Sequence, residues 1–98
     1  RENFTAVFAC NDMMAVGAYK AIEEEHLSVP DDISLAGFDN IKYPDVFKPK
    51  LTSVNLPSYD LGWKAAEMLM KVIDKEKLEQ IGIEFALDVV DKGSVVAI

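Results

Sequence analysis

Cysteine and histidine are almost absent from this chain, which holds one of each in 98 residues, Cys10 and His26. One thiol forms no disulfide within the chain, and one Cys with one His at no recognisable spacing builds no zinc site. Basic residues are also scarce: ten Lys and Arg against 17 Asp and Glu leave a net charge of −7 and a pI near 4.5. Gripping phosphates needs a basic footprint that releases counterions, so any nucleic-acid contact is expected to lie outside this segment. No apolar stretch approaches the ~20 residues of a membrane-spanning helix, and no signal-like apolar region precedes a small-residue cleavage site. The five glycines, Gly17, Gly37, Gly62, Gly82 and Gly93, form no phosphate-cradling loop. His26 has no nucleophile motif nearby and sits beside Glu23, Glu24 and Glu25, where it reads as solvated, as does the Asp31-Asp32 pair. No enzyme activity, metal or cofactor is expected.

What is present is half hydrophobic and 28% charged, the composition of a globular α/β protein of at most one domain with one modest core. The start, Arg1-Glu2-Asn3-Phe4, lacks an initiator Met and runs almost directly into an apolar strand, so the chain is expected to be cut from something longer. Residues 5–9 form a short apolar run of the kind buried on both faces of a parallel sheet, and Cys10 at its end reads as a small buried hydrophobe. A helix should follow, begun by Asn11-Asp12, with Met14, Ala18, Ala21 and Ile22 on its apolar face and an end near His26, before Pro30. Residues 33–38 repeat the strand pattern and stop at Asp39-Asn40, both turn-favouring. A third strand is expected over 51–56. Pro57 then opens a helix to about Asp74, with Leu61, Ala65, Met68, Leu69 and Val72 on one face. The tail, 81–98, reads as one or two strands with a turn at Asp91-Lys92-Gly93. This order is that of a doubly wound α/β fold on a parallel sheet.

In such sheets ligands bind beyond the carboxyl ends of the strands, which singles out Asn11, Asp39 and the neighbourhood of Leu56. If the first two strands are neighbours, Asn11 and Asp39 present an amide and a carboxylate to one cleft. The amide donates and accepts while the carboxylate accepts from two hydroxyls, a pair suited to a neutral polyol. The plainer alternative stays open: Asn11 or Asp12 caps the helix and Asp39 makes a turn. Trp63 shares a helix face with Tyr59, Ala66 and Met70, which reads as core packing or contact with another lobe rather than sugar stacking. Tyr43, Phe47 and Pro49 gather apolar surface in a loop that should be wet, either a subunit interface or a loop folded over its own core.

Three motifs in order, Ala9-Cys10-Asn11-Asp12-Met13-Met14-Ala15-Val16-Gly17-Ala18, Val29-Pro30-Asp31-Asp32-Ile33-Ser34-Leu35-Ala36-Gly37-Phe38-Asp39-Asn40 and Pro49-Lys50-Leu51-Thr52-Ser53-Val54, resemble the LacI/GalR family of bacterial transcription regulators. The likeness runs on through Leu61-Gly62-Trp63-Lys64-Ala65-Ala66 to Asp91-Lys92-Gly93-Ser94 and covers nearly the whole chain. It implies a partial effector-binding and dimerisation domain of the periplasmic-binding-protein-like class, mostly the C-terminal lobe plus one helix of the other. The chain would cross between lobes near Leu56 and return before the tail. A DNA-binding helix-turn-helix head and most of the first lobe would lie outside it. The resemblance further implies a cytoplasmic homodimer that binds a sugar or a purine, coupled allosterically to operator affinity. By position, Asn11 and Asp39 match effector-binding residues, and Val16, Tyr19, Lys20 and Phe47 match the dimer interface. Leu56 stands where many relatives carry a Gln, and Lys92 where an Arg is usual. A sugar receptor of a transporter, outside the cytoplasm, is the alternative. On its own, the segment is expected to dimerise or exchange segments, because the helix after Pro57 would lack its lobe.

Overall fold

The computed structural model describes residues 3–42 and 45–98, so Tyr43 of the apolar loop and Arg1 and Glu2 at the start lie outside the described residues. The element order is β1 (Ala6–Phe8), α1 (Asp12–Glu24), β2 (Ser34–Asp39), β3 (Thr52–Asn55), α2 (Ser58–Ile73) and β4 (Asp88–Val90). The sheet order is β1-β2-β3-β4. The first three strands are parallel, and β4 runs antiparallel to β3 with Val54 opposite Val89. The sheet is therefore mixed rather than wholly parallel. The turn expected at 91–93 is present: the Asp91 carboxylate accepts the Gly93 N–H at 3.0 Å, and Gly93 has φ +102°, a conformation glycine tolerates best. Beyond it, buried Ser94 joins two strands by accepting the Thr52 N–H at 2.7 Å and donating to the Leu35 carbonyl.

The chain divides into two compact units, one of residues up to Leu56 with Asp88–Ile98, the other Pro57–Leu87. The first holds the core: Ala9, Ala15, Tyr19, Leu35, Phe47 and Leu51, with Leu35 wholly buried. α1 packs on β2 through Asp12, Ala15, Tyr19 and Ile22. The expected stripe of Met14, Ala18, Ala21 and Ile22 is thus rotated by about one residue, and Met14 is exposed. Both stripes satisfy the helical period. The observed one wins because it carries the larger Tyr19 inward and gives Asp12 polar partners.

Two further expectations are corrected. β1 is an edge strand rather than one buried on both faces: Val7 is half-buried, Ala6 is exposed and Phe8 is 61% exposed. Cys10 is exposed, not a buried hydrophobe, because β1 ends at Phe8 and position 10 lies in the bend entering α1.

In the second unit, α2 buries no residue fully. Leu61, Lys64, Glu67 and Met68 are half-buried, whereas Ala65, Leu69 and Val72 of the expected apolar face are exposed. Trp63 and Tyr59 are exposed too, lining an open depression with Asp60, Lys64 and Phe85, so Trp63 is not packed in a core. Lys64 pairs with Glu67 at 2.9 Å and holds that carboxyl below its usual range.

Candidate functional site

The parallel register decides where the sequence-derived site residues emerge. Phe8, the last residue of β1, pairs with Ala36, and Asn11 follows three residues later as the chain turns into α1; Asp39 ends β2 and pairs with Asn55, the last residue of β3. Asn11, Asp39 and Asn55 therefore form one row at the carboxyl edge of three parallel strands, the edge at which open α/β sheets bind ligands.

Each of the three is held differently. Asn11 is the N-cap of α1, extended at φ −153° and ψ 169°, and its side-chain oxygen accepts the Met14 N–H at 2.8 Å. The plainer reading of Asn11 is thus realised at its oxygen, and its amide NH2 makes no hydrogen bond among the described residues. Asp39 is half-buried and has φ +111°; its carbonyl accepts the Leu56 N–H at 3.2 Å, while its carboxylate accepts no hydrogen bond among the described residues. Asn55 is exposed, and its side-chain oxygen accepts from the Asn40 amide at 3.2 Å. The row offers an amide donor and a carboxylate acceptor, the complement of a hydroxyl pair. Leu56 follows it with a half-buried apolar side chain.

Behind the row lies a polar cluster that the sequence reading missed. Asp12 is 2% exposed, and one carboxylate oxygen accepts the Ser53 hydroxyl at 2.7 Å while the other accepts the Ile41 N–H at 3.0 Å. The Ser53 oxygen also accepts the Asn40 N–H at 3.1 Å. Lys92 donates to the Asn40 side-chain oxygen at 2.6 Å, so the Lys found in place of the usual Arg still reaches the turn after Asp39. A signal for Asp12 was available. Positions 12, 15, 19 and 22 recur at helical spacing, and an acidic residue in phase with a buried stripe has to find donors there.

A half-open cavity of about 300 Å³ lies beside this cluster, lined by Asp12, Asn40, Phe47, Leu51 and the rim residues Lys42 and Lys92 among others. Neither Asn11 nor Asp39 lines it, so the cavity and the row are distinct features.

The four expected interface residues separate into two pairs. Val16 is half-buried and Lys20 exposed on α1. Tyr19 and Phe47 are buried in the chain's own core, where their rings meet edge to face at 5.3 Å and 74°. The Tyr19 hydroxyl donates to the Lys48 carbonyl and accepts its N–H, both at 3.3 Å, which draws the loop onto the helix. Of the two readings of Phe47, the loop folded over its own core is the one realised. Among the described residues there is no group of three or more His, Cys, Asp and Glu side chains arranged to hold a metal, and no helix is long and apolar enough to cross a membrane.

A family model described as a periplasmic binding protein-like domain matches residues 2–95. The transcriptional repressor PurR of Histophilus somni is 45% identical over 91 residues, 93% of this chain and 27% of that protein. Among solved structures, the transcription regulator CcpA of Lactococcus lactis superposes with a TM-score of 0.86 at 32% identity, over 94% of this chain and 34% of that one. A LacI family transcriptional regulator from Enterococcus faecium, solved with bound ribose, does so with a TM-score of 0.84 at 34% identity, over 96% and 35%. The chain spans little more than a quarter of the length of the curated relative it matches.

Proposed function

Because this chain belongs to the periplasmic-binding-protein-like domain family, we propose that it is the effector-sensing part of a LacI-family transcription regulator rather than an enzyme. The effector is a small molecule rich in hydrogen-bonding groups, a sugar in first place and a purine in second, and Asn11 and Asp39 hydrogen-bond it from the C-terminal lobe. The observation that supports this most is that Asn11 and Asp39 follow the carboxyl ends of neighbouring parallel strands, with an amide donor and a carboxylate acceptor that make no hydrogen bond among the described residues. The relatives compared are regulators, one of them with ribose bound, which favours this reading over a transport receptor. Binding that favours one arrangement of two lobes shifts the population of that arrangement and with it operator affinity, through a DNA-binding head outside this chain and in the cytoplasm. The subunits pair through Val16 and Lys20 on α1, since Tyr19 and Phe47 are enclosed.

The test is calorimetric titration of the longest natural polypeptide containing this chain with ribose, cellobiose, xylulose, adenine, guanine and hypoxanthine. One of them binds, and Asp39→Ala weakens it at least several-fold with the fold intact by circular dichroism. Unchanged affinity in Asp39→Ala rejects the assignment.

A further inference from the structure

Asp39 and Asn40 are consecutive non-glycine residues with left-handed backbones, at φ +111° and +54°. Such conformations are sparsely populated by L-residues and persist where the surroundings impose them. Here the imposing groups are visible. The Asn40 N–H is taken by the Ser53 oxygen at 3.1 Å and the Ile41 N–H by an Asp12 carboxylate oxygen at 3.0 Å, so both amides after Asp39 point inward. The Ser53 hydroxyl donates to the other Asp12 oxygen at 2.7 Å and closes the chain. Asp12 and Ser53 are each 2% exposed, and Gly37 leaves the room they use: a Cβ there would overlap the Asp12 carboxylate oxygen.

The connectivity carries the consequence. Asp12 is the residue after Asn11, and Asn40 is the residue after Asp39. The hydrogen-bonded path from Asp12 through Ser53 to Asn40 therefore joins the neighbour of one proposed ligand group to the neighbour of the other. We propose that Asp12 and Ser53 form a buried latch that sets the separation and aim of the Asn11 amide and the Asp39 carboxylate, positioning residues that never touch the effector. Lys92 and Asn55 brace the same turn from its exposed side, through the Asn40 amide. This rests on the effector-site reading, but it concerns a different set of residues and fails separately from it.

The latch is tested in the longest natural polypeptide containing this chain, with Ser53→Ala, Asp12→Asn and Asp39→Ala. Hydrogen–deuterium exchange at Asn40 and Ile41 needs no ligand. Ser53→Ala is expected to speed exchange there while Leu35 and Val54 stay protected, and unchanged rates at Asn40 and Ile41 overturn the latch. Whichever of ribose, cellobiose or hypoxanthine binds the unaltered protein is then titrated into each variant. Ser53→Ala is expected to weaken it about tenfold, the effect of one net hydrogen bond's worth of ordering. In an Asp39→Ala background the same change should cost clearly less, because the part of its effect carried by the carboxylate has gone and only the aim of the Asn11 amide is left to disturb. Equal losses in both backgrounds would mark a general structural role and overturn the proposal. Asp12→Asn retains one acceptor and gains a donor that the Ser53 oxygen can receive, so it is expected to fall between the unaltered protein and Ser53→Ala. It also serves as the second variant if Ser53→Ala does not fold. If Asp39→Ala leaves affinity intact, the effector-site reading falls; if Asp39→Ala loses affinity and Ser53→Ala does not, the latch alone falls.

Discussion

Gly37→Ala adds a single methyl, and the structure says where it goes. The new Cβ would overlap the Asp12 carboxylate oxygen and stand 2.9 Å from Leu51 Cδ2. Leu51 is a side-chain end and could yield, but it is 5% exposed within the core. Asp12 is worse placed to move, because retreat breaks its bonds from Ser53 and from the Ile41 N–H. Overpacking of this kind costs about 1–3 kcal/mol. Leaving a buried carboxylate short of a donor adds roughly 1–3 kcal/mol. The expected loss is about 2–6 kcal/mol, the lower figure applying if the strand shifts to share the strain. Urea denaturation followed by circular dichroism measures it. The informative control is the double mutant: with Asp12→Ala already in place the methyl meets no oxygen, so the two changes should couple by about 1–3 kcal/mol, as residues in contact do. A Gly37→Ala loss below about 0.5 kcal/mol, the range of an ordinary surface change, would refute the close approach. Strictly additive losses would refute the claim that Asp12 is what the methyl meets.

Asn11→Ala removes the N-cap acceptor of Met14 and should cost about 1 kcal/mol in the same denaturation assay, where Asn11→Ser should cost less. Tyr19→Phe keeps the ring against Phe47 but strips both hydroxyl bonds to Lys48; a loss of about 0.5–1.5 kcal/mol is expected, and a neutral result would show that the loop is held by its apolar contacts alone. Asp32 accepts the Ser28 N–H and hydroxyl, both at 2.8 Å, and these bonds hold its carboxyl below the usual range. A lowered folded value means that the contribution is complete above the unfolded value of about 3.9 and is lost as pH falls through the folded one. The difference in urea midpoint between the unaltered protein and Asp32→Asn should therefore be flat from neutral pH to about pH 5 and should vanish in stronger acid. Cys10 should react with a thiol reagent under native conditions at close to its unfolded rate, whereas strong protection would contradict its exposure.

Much of the fold was legible because the periodicities were short-range and unambiguous. The helix expected from Asn11-Asp12 and the one expected after Pro57 form with ends close to those read, and three apolar runs became parallel strands. The boundary between the two compact units falls after Leu56.

What escaped the sequence has one physical root: helical and strand periods say how residues share a face, not which neighbour that face will meet. The stripe on α1 could be drawn through Met14 or through Asp12, and only the donors on Ser53 and Ile41 made the second choice favourable. Phe8 and Cys10 read as buried, yet β1 lies at a sheet edge, and edge or centre is a property of the assembled sheet. Phe47 served a loop folded inward or an interface equally well until the Tyr19 hydroxyl was found bonded to Lys48. Local pattern, set by contacts within a few residues, determined the elements and the row of candidate ligand groups. Contacts between positions tens of residues apart, Asp12 with Ser53 and Tyr19 with Lys48, decided how those groups are aimed.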